Sequence, residues 1–175
     1  MTVLLFAGKP TQGRQYMYLE KAIKMRLADI LDIKCVKVPL KSLEKHQAIT
    51  ELTELLDQAG RLNDYDTALK AVMQRESVRS TGVGQGFAIP HGKCSAVDSL
   101  TMAVGKTSEP IDFESIDKKP VDIIFLLISP LDQTGPHIQA LAGISRLMMD
   151  IPTRSRIDEC STAEQLYKLI TEFDK

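Results

Sequence analysis

The chain has 175 residues and a mass of 19.4 kDa, and its 43% hydrophobic and 26% charged residues are typical of one globular domain. The 22 basic and 23 acidic side chains nearly cancel to a net charge of −1, which excludes a chain whose overall charge draws it onto nucleic acid or anionic lipid. No apolar run reaches the roughly 18 residues of a membrane span, and the three cysteines have no CxxC spacing. We therefore expect a cytoplasmic protein with no nucleic-acid partner and no stable membrane insertion.

Residues 1–24 differ in character from the remainder of the chain. They combine Gly, Pro and Gln with one brief amphipathic stretch, and the domain proper is predicted to start near Met25. We expect a loosely packed, dispensable extension over residues 1–24 and one domain over residues 25–175. A genuine additional strand and helix within the first 24 residues is the alternative.

Two helices are predicted early in that domain. The first begins near Ser42 and ends at Gly60, because glycine often terminates a helix. The second follows Asp64, whose side chain suits the N-cap position, and Arg75 lies at its end. The apolar residues at helical spacing are Ala48, Ile49, Leu52, Leu55, Leu56 and Ala59 in the first helix, and Ala68, Leu69, Val72 and Met73 in the second.

A glycine-rich loop and two strands are predicted next. Residues 80–86 read STGVGQG and lead into the short apolar segment 87–90. Apolar side chains then alternate with polar or small ones, as in a strand with one buried face; they are Leu100, Met102 and Val104. The near-continuous apolar run 121–128 is typical of a central strand that is covered on both faces.

Two further helices complete the predicted elements. One begins at about Pro136, and a capping box over residues 161–164 (STAE) predicts the start of the other. Their inward faces would consist of Ile138, Leu141, Ala142, Leu147 and Met148 in the first, and of Leu166, Leu169, Ile170 and Phe173 in the second. Since helices and strands are mixed along the chain, the predicted class is α/β with α+β-like features: a single domain in which helices cover both sides of a mixed β-sheet.

His91 is the first candidate for chemistry. It follows Pro90 and precedes Gly92 at the end of a predicted strand. This arrangement holds the ring at the strand end while the backbone beside it stays accessible to a partner. A purely structural histidine is the alternative interpretation of the same position.

The loop upstream of His91 is a candidate anion site. Gly82, Gly84 and Gly86 permit the positive φ angles at which backbone N–H groups converge on an anion. Ser80 and Thr81 add hydroxyl donors. We therefore predict that phosphate is bound by Ser80, Thr81, Gly82 and Gly84, with an ordinary flexible loop as the alternative.

The other two histidines are weaker candidates. His137 begins the predicted helix after the turn at residues 135–136, where free N–H groups favour anions, and we expect its side chain to point outward. His46 lies in a charged helix start and is interpreted as solvated surface. His91 and His137 lack the short spacing of helical zinc sites, and Cys94 does not complete a ligand set, so no metal is expected.

Residues 75–93, RESVRSTGVGQGFAIPHGK, closely resemble the active-site signature of enzyme IIA in the phosphoenolpyruvate-dependent phosphotransferase system, in its mannitol/fructose/nitrogen-regulatory (type 2) class. Three later segments agree with that family: PIDF at 110–113, KPVD at 119–122 and residues 137–148. The resemblance covers about residues 26–173.

The resemblance implies a phosphotransferase that works through a phosphohistidine and needs no cofactor. His91 has the position of the family's phosphoryl-accepting histidine, and Arg75 and His137 have the positions of its arginine and its second histidine. We expect these three side chains to converge in the fold. Phe87, where a smaller aliphatic residue is usual, and Cys94 depart from the family pattern.

The resemblance also implies partners. The donor would be a histidine phosphocarrier protein, and the acceptor an enzyme IIB in sugar uptake. The alternative is a regulatory protein-binding module of the nitrogen-regulatory type, which His91 phosphorylation switches without sugar transport. A histidine-dependent hydrolase is a third possibility, but it lacks a serine, cysteine or metal constellation.

Overall fold

The computed structural model describes residues 25–173, so the extension expected over residues 1–24 lies outside the described residues. A single 3₁₀ turn, Leu27–Asp29, precedes the sheet. The six strands are β1 (Leu31–Leu40), β2 (Gly82–Gly84), β3 (Phe87–Ala88), β4 (His91–Lys93), β5 (Thr101–Ile111) and β6 (Val121–Ser129). The five α-helices are α1 (Lys45–Gln58), α2 (Tyr65–Val78), α3 (Thr134–Met149), α4 (Ile151–Glu159) and α5 (Ala163–Phe173).

The strands form one mixed sheet in the order β1-β5-β6-β3-β2. β1 is parallel to β5, and β3 is parallel to β6, whereas the β5–β6 and β2–β3 pairs are antiparallel. β4 also pairs in parallel with β6, in the register that β3 began: Phe87 lies opposite Ile123 and His91 opposite Leu127. β3 and β4 are therefore one strand along the edge of β6, interrupted at residues 89–90.

Helices cover both faces of this sheet. Every residue of β6 except Asp122 is buried, so both faces of that strand are covered. α1 packs against α2, while α3 packs against α4 and α4 against α5, which gives one helical layer on each side of the sheet. The predicted fold class is confirmed. The start of β5 is buried on both faces from Thr101 to Gly105, so the predicted half-buried strand at this place is wrong.

Helix α1 ends and helix α2 begins where local sequence signals predict, whereas α1 begins at Lys45, three residues after the predicted start near Ser42. α1 ends at Gln58, and Gly60 follows in the left-handed region with φ +68°. Asp64 caps α2 by accepting a hydrogen bond from the Thr67 backbone N–H at 3.0 Å.

α3 buries a different face from the one that its hydrophobic pattern predicts. The buried residues are His137, Ala140, Gly143, Ile144, Leu147 and Met148. Ile138 is 60% exposed and Ala142 is also exposed, so their predicted inward orientation is wrong. The physical reason is that the buried stripe contains a histidine and a glycine, which carry no weight in a hydrophobic pattern; Gly143 lets α3 lie against Leu27, 3.3 Å from where a Cβ would be.

Helix α4 was not predicted, because only Thr153 and Ile157 are buried in it and it therefore has no clear apolar periodicity. It begins with an Asp150 side chain that accepts from the Thr153 N–H at 3.0 Å. The predicted capping box of α5 is displaced by one residue: the Gln165 side chain, not Glu164, accepts from the Ser161 N–H at 2.9 Å.

None of the described helices combines the length and the apolar character that crossing a membrane would require.

Candidate active site

The direction of the His91 side chain follows from its neighbour in β4. A Cβ on Gly92 would lie 3.0 Å from the Val72 backbone nitrogen, so glycine lets α2 approach the sheet on that face. Since successive side chains of a strand point to opposite faces, His91 and Lys93 point to the other face. That face carries α3, and the Lys93 ammonium donates there to the Thr134 hydroxyl.

The hydrogen bond of His91 Nδ1 determines the tautomer of this ring. Nδ1 lies 2.7 Å from the carbonyl oxygen of Ile89, which can only accept, so Nδ1 carries the proton. Nε2 is then left with its lone pair. Burial lowers the pKa of His91 more than the Ile89 carbonyl raises it, so the ring is neutral at pH 7. A neutral imidazole with a bare Nε2 is a nucleophile.

Arg75 lies beside that nucleophile. It belongs to the last turn of α2, and its Nε donates to His91 Nε2 at 3.1 Å. Its Nη1 donates to the Arg79 carbonyl oxygen at 2.9 Å, whereas Nη2 bonds to nothing within residues 25–173. The guanidinium is thus held at the reactive nitrogen with one donor edge free for an anion.

His137 also reaches the site, although not in the predicted orientation. Its ring centroid lies 5.3 Å from that of His91, with 65° between the ring planes. The side chain is only 6% exposed, so the prediction that it points outward is wrong. Burial, aided by the nearby His91 and Lys93, lowers the pKa of His137 to about 4. The fold therefore brings Arg75, His91 and His137 together and keeps His137 neutral at pH 7.

A buried neutral histidine predicts a pH-dependent stability. The unfolded chain binds a proton on this ring below a pKa near 6.5, whereas the folded ring has a pKa of about 4. The contribution of the His137 ring to the free energy of unfolding is therefore complete above pH 6.5 and is lost as the pH falls towards 4. We expect the free energy of unfolding to drop by about 1–2 kcal/mol through this ring between pH 7 and pH 5.

Urea unfolding at the two pH values checks this expectation, with a His137→Gln variant as the matched control. The variant cannot titrate at this position, so it should lose less stability on acidification than the wild-type protein. Equal losses in the two proteins would show that the folded His137 titrates normally.

Three of the four loop residues predicted to bind phosphate line a cavity of about 320 Å³ beside His91; they are Ser80, Thr81 and Gly82. Their donors are engaged within the fold. The Ser80 hydroxyl donates to the Phe113 carbonyl oxygen at 2.6 Å, and the Gly82 N–H donates to Ser80 Oγ at 3.1 Å. Phosphate binding by this loop stays a prediction.

Gly84 lies outside that cavity wall. It is the last residue of β2, with φ +107°, and a Cβ here would lie 3.0 Å from the Asp117 carboxyl carbon. The same carboxylate accepts from the Gln85 N–H at 2.9 Å. Gly84 is thus beside a negative charge and apart from Arg75 and His91.

Sequence reasoning missed the role of a buried carboxylate next to Arg75. Glu76 is 3% exposed and accepts from the Thr81 N–H at 3.1 Å and from its hydroxyl at 2.5 Å. Lys45 of α1 forms an ion pair with it at 3.0 Å. This cluster ties the end of α2 to the start of β2. No local pattern could have revealed it, because Lys45 and Glu76 come from different helices.

The cavity also has apolar walls that the sequence did not single out. Val83, Ile89, Ile116 and Leu141 line it together with the arginine Arg79. Phe87 does not line it but is buried in the core, and His46 is exposed on α1, as predicted. Within residues 25–173, no three His, Cys, Asp or Glu side chains lie close enough together to hold a metal ion.

Comparison with known proteins gives the context for this geometry. The sequence model of the family described as "Phosphoenolpyruvate-dependent sugar phosphotransferase system, EIIA 2" matches residues 29–173. A fructose-specific EIIABC component of the phosphotransferase system from Bacillus subtilis strain 168 is 32% identical over 151 residues, which are 86% of this chain but 24% of that protein. This chain therefore spans about a quarter of that relative's length.

A relative of similar length is the fructose-specific EIIA component of Haloferax volcanii, which is 35% identical over 82% of this chain and 97% of that protein. The crystal structure of the nitrogen regulatory protein IIA-Ntr from Neisseria meningitidis is 30% identical, with a TM-score of 0.70 over 83% of this chain and 99% of that chain. The solved complex of enzyme IIAMTL with phosphorylated enzyme IIBMTL from Escherichia coli is 18% identical, with a TM-score of 0.69 over 81% of this chain and 97% of that chain. That last similarity is one of fold.

Proposed function

This chain belongs to the EIIA type 2 family of the phosphoenolpyruvate-dependent sugar phosphotransferase system, and from that membership we propose that it carries a phosphoryl group on Nε2 of His91 from one protein to another. One observation carries the proposal. His91 donates through Nδ1 to the Ile89 carbonyl oxygen and leaves a bare Nε2 beside Arg75 and His137.

The transfer needs no cofactor, because it exchanges one nitrogen–phosphorus bond for another. The lone pair of His91 Nε2 attacks phosphorus while the bond to the donor's imidazole nitrogen breaks, and the donor ring leaves with that electron pair. The proton on His91 Nδ1 stays hydrogen-bonded to the Ile89 carbonyl oxygen throughout. The ring, neutral before attack, therefore gains a positive charge when Nε2 bonds phosphorus, and this charge makes it a good leaving group when the next protein attacks.

In this proposal Arg75 interacts first with His91 and then with the phosphoryl group. It first holds the Nε2 side of His91 by donating from Nε at 3.1 Å. For attack to occur it must release that lone pair, and its guanidinium then lies beside the incoming phosphoryl oxygens. Preorganised cationic donors of this kind stabilise the charge that spreads over those oxygens.

His137 supplies a neutral donor. Since burial holds its pKa at about 4, it stays uncharged while His91 cycles between its two states. It is 5.3 Å from the His91 ring and can therefore reach oxygens bound to Nε2, although it does not attack phosphorus itself. We assign its contribution to the transition state of onward transfer, in which the phosphoryl group leaves His91 Nε2.

A His137→Ala variant is expected to accept the phosphoryl group at nearly the wild-type rate and to pass it on between about 10-fold and 100-fold more slowly, which is the effect of losing one hydrogen bond to a charged group. Rapid-quench measurement of the two half-reactions checks this, with His46→Ala as an exposed control. If His137→Ala abolishes acceptance as completely as loss of His91, then His137 is the acceptor or a required base.

The surroundings of the site suit protein partners. Ile116 and Ile138 are 67% and 60% exposed, and Leu141 lies one turn beyond Ile138 in the cavity wall. Apolar side chains around a charged centre exclude water when another protein docks. We propose a histidine phosphocarrier protein as the donor and an enzyme IIB as the acceptor, the kind of partner named in the solved IIAMTL complex.

A second function is favoured by similarity to a nitrogen regulatory protein. The chain covers 99% of the solved chain of the nitrogen regulatory protein IIA-Ntr. In that role the phosphorylated and unphosphorylated forms bind a regulated protein differently, and no phosphoryl group reaches a sugar.

One reconstitution separates these possibilities. The protein is incubated with phosphoenolpyruvate, enzyme I and the phosphocarrier, and its intact mass is measured before and after an enzyme IIB is added. Gain of one acid-labile phosphoryl group supports the carrier proposal, and its loss to enzyme IIB supports the transport role. Gain without transfer to any enzyme IIB of the same cell favours the regulatory role, and no gain refutes both.

A further inference from the structure

We propose that Ser129 is a positioning residue for phosphoryl transfer: its hydroxyl keeps the proton of His137 on Nε2, where it can be donated to the phosphoryl group. Ser129 is the last residue of β6 and is fully buried, and its Oγ lies 2.8 Å from His137 Nδ1. The expected effect on phosphoryl transfer rests on the proposed function, whereas the assignment of the His137 proton to Nε2 does not.

The direction of that hydrogen bond follows from the surroundings of Ser129. Within residues 25–173, His137 Nδ1 is the hydrogen-bond partner of the Ser129 hydroxyl, and this hydroxyl makes no other hydrogen bond there. If Nδ1 carried the proton and donated to Oγ, the buried hydroxyl hydrogen would have no acceptor, which is costly. The hydroxyl therefore donates to Nδ1, and the ring proton lies on Nε2.

The exposed edge of the His137 ring agrees with this assignment. Nε2 has no hydrogen-bond partner among the described residues, yet it is not among the buried polar atoms that lack one, so the small accessible part of this side chain includes Nε2. A donor N–H that faces solvent in the free protein is available to an anion bound at His91.

The two histidines of the site thus have opposite tautomers. The Ile89 carbonyl oxygen accepts from His91 Nδ1 and leaves a lone pair on Nε2, whereas the Ser129 hydroxyl donates to His137 Nδ1 and leaves a proton on Nε2. One ring presents a nucleophile and the other presents a hydrogen-bond donor. The lone pair of His91 can attack phosphorus, and the N–H of His137 can donate to the phosphoryl oxygens.

The groups around His137 favour a neutral ring at neutral pH, in which only one nitrogen carries a proton. His137 faces two residues of β4, His91 and Lys93. On the far side of His91 lies Arg75 of α2. The buried carboxylate of Glu76 forms an ion pair with Lys45 and accepts a hydrogen bond from Thr81. No described carboxylate pairs with His137, so nothing holds it as an imidazolium.

The test compares two variants of equal shape. Ser129→Thr keeps the hydroxyl, and Ser129→Val replaces it with a methyl group, so any packing disturbance is shared. Thr101→Val is the control: Thr101 lies on β5 opposite Ile128, and its buried hydroxyl has no partner, so its removal deletes a hydroxyl without touching His137. Ser129→Ala replaces Ser129→Val in every measurement if the valine variant does not fold.

Two measurements are made on each full-length protein. Nitrogen-15 NMR of the unphosphorylated protein at neutral pH reports which His137 nitrogen is protonated. We expect Nε2 protonation alone in wild type, Ser129→Thr and Thr101→Val, and a mixture of tautomers in Ser129→Val. Onward transfer should be about tenfold slower in Ser129→Val than in Ser129→Thr, the low end of the range for partners that orient a functional histidine, whereas acceptance should differ less than about twofold between them.

Two results overturn the inference: a proton on His137 Nδ1 in the wild-type protein, or threonine and valine variants that share one tautomer pattern and one transfer rate. Failure of the proposed function is distinguishable. A wild-type protein that accepts no phosphoryl group refutes the carrier role, while its NMR spectrum still decides which nitrogen of His137 carries the proton.

Discussion

A His91→Ala variant is expected to take up no phosphoryl group from the phosphocarrier while it remains folded. The reason is that Nε2 of this ring is the nucleophile left bare by the Nδ1 hydrogen bond to Ile89, and alanine has no nitrogen to replace it. The side chain is only partly buried at the start of a short strand, so its removal should leave the core packing intact. Intact mass after incubation with phosphoenolpyruvate, enzyme I and phosphocarrier measures the uptake.

The control for this experiment is His46→Ala, which removes an exposed histidine on α1, outside the site. It should gain one phosphoryl group, as the wild-type protein does. Thermal unfolding followed by circular dichroism establishes that both variants are folded. If His91→Ala still gains one acid-labile phosphoryl group, another residue is the acceptor and the proposed site is wrong.

The second large effect is expected at Arg75. Arg75→Ala should slow acceptance by about 10²–10³, the usual loss when one preorganised donor to a developing charge is removed. The phosphoryl group carries about −1.5 to −2 charge at neutral pH, by analogy with other phosphorylated side chains, so loss of a cation should cost more than loss of the neutral donor His137. The variant also loses the contact from Nε to His91 Nε2.

Rapid-quench kinetics at saturating phosphocarrier measures this effect. Arg75→Lys keeps the charge but not the forked donor geometry, so it should recover only part of the rate. Arg156→Ala, an exposed arginine on α4, should react as the wild-type protein does. A rate for Arg75→Ala within about threefold of wild type would mean that Arg75 does not contact the group in transfer.

Local sequence signals determined much of the fold. The Asp64 cap, the glycine after α1 and the apolar run of β6 each specify backbone geometry through neighbouring residues, and these elements formed where predicted. The signature over residues 75–93 singled out Arg75 and His91, because both lie in one stretch that resembles the motif of a family. The roles of those residues came from resemblance to a family, not from periodicity.

The weakest sequence predictions concerned polar residues whose partners lie elsewhere in the chain. The buried face of α3 was predicted wrongly because His137 and Gly143 are counted as neutral or polar in a hydrophobic pattern. In the fold, Ser129 hydrogen-bonds to His137 and Leu27 packs against Gly143. The loop at residues 80–82 was predicted to offer donors, but Glu76 and Phe113 accept several of them.

The sequence by itself determined most of the helices and the mixed sheet with helices on both faces, and through the family resemblance it singled out the histidine and the arginine of the candidate site. Only the tertiary structure decided which face of α3 is buried, that His137 is neutral, and on which nitrogen each ring carries its proton. The physical reason is one of range. Periodicity and capping act between residues a few positions apart, whereas the protonation of a buried ring depends on the acceptor or donor that another element brings against it.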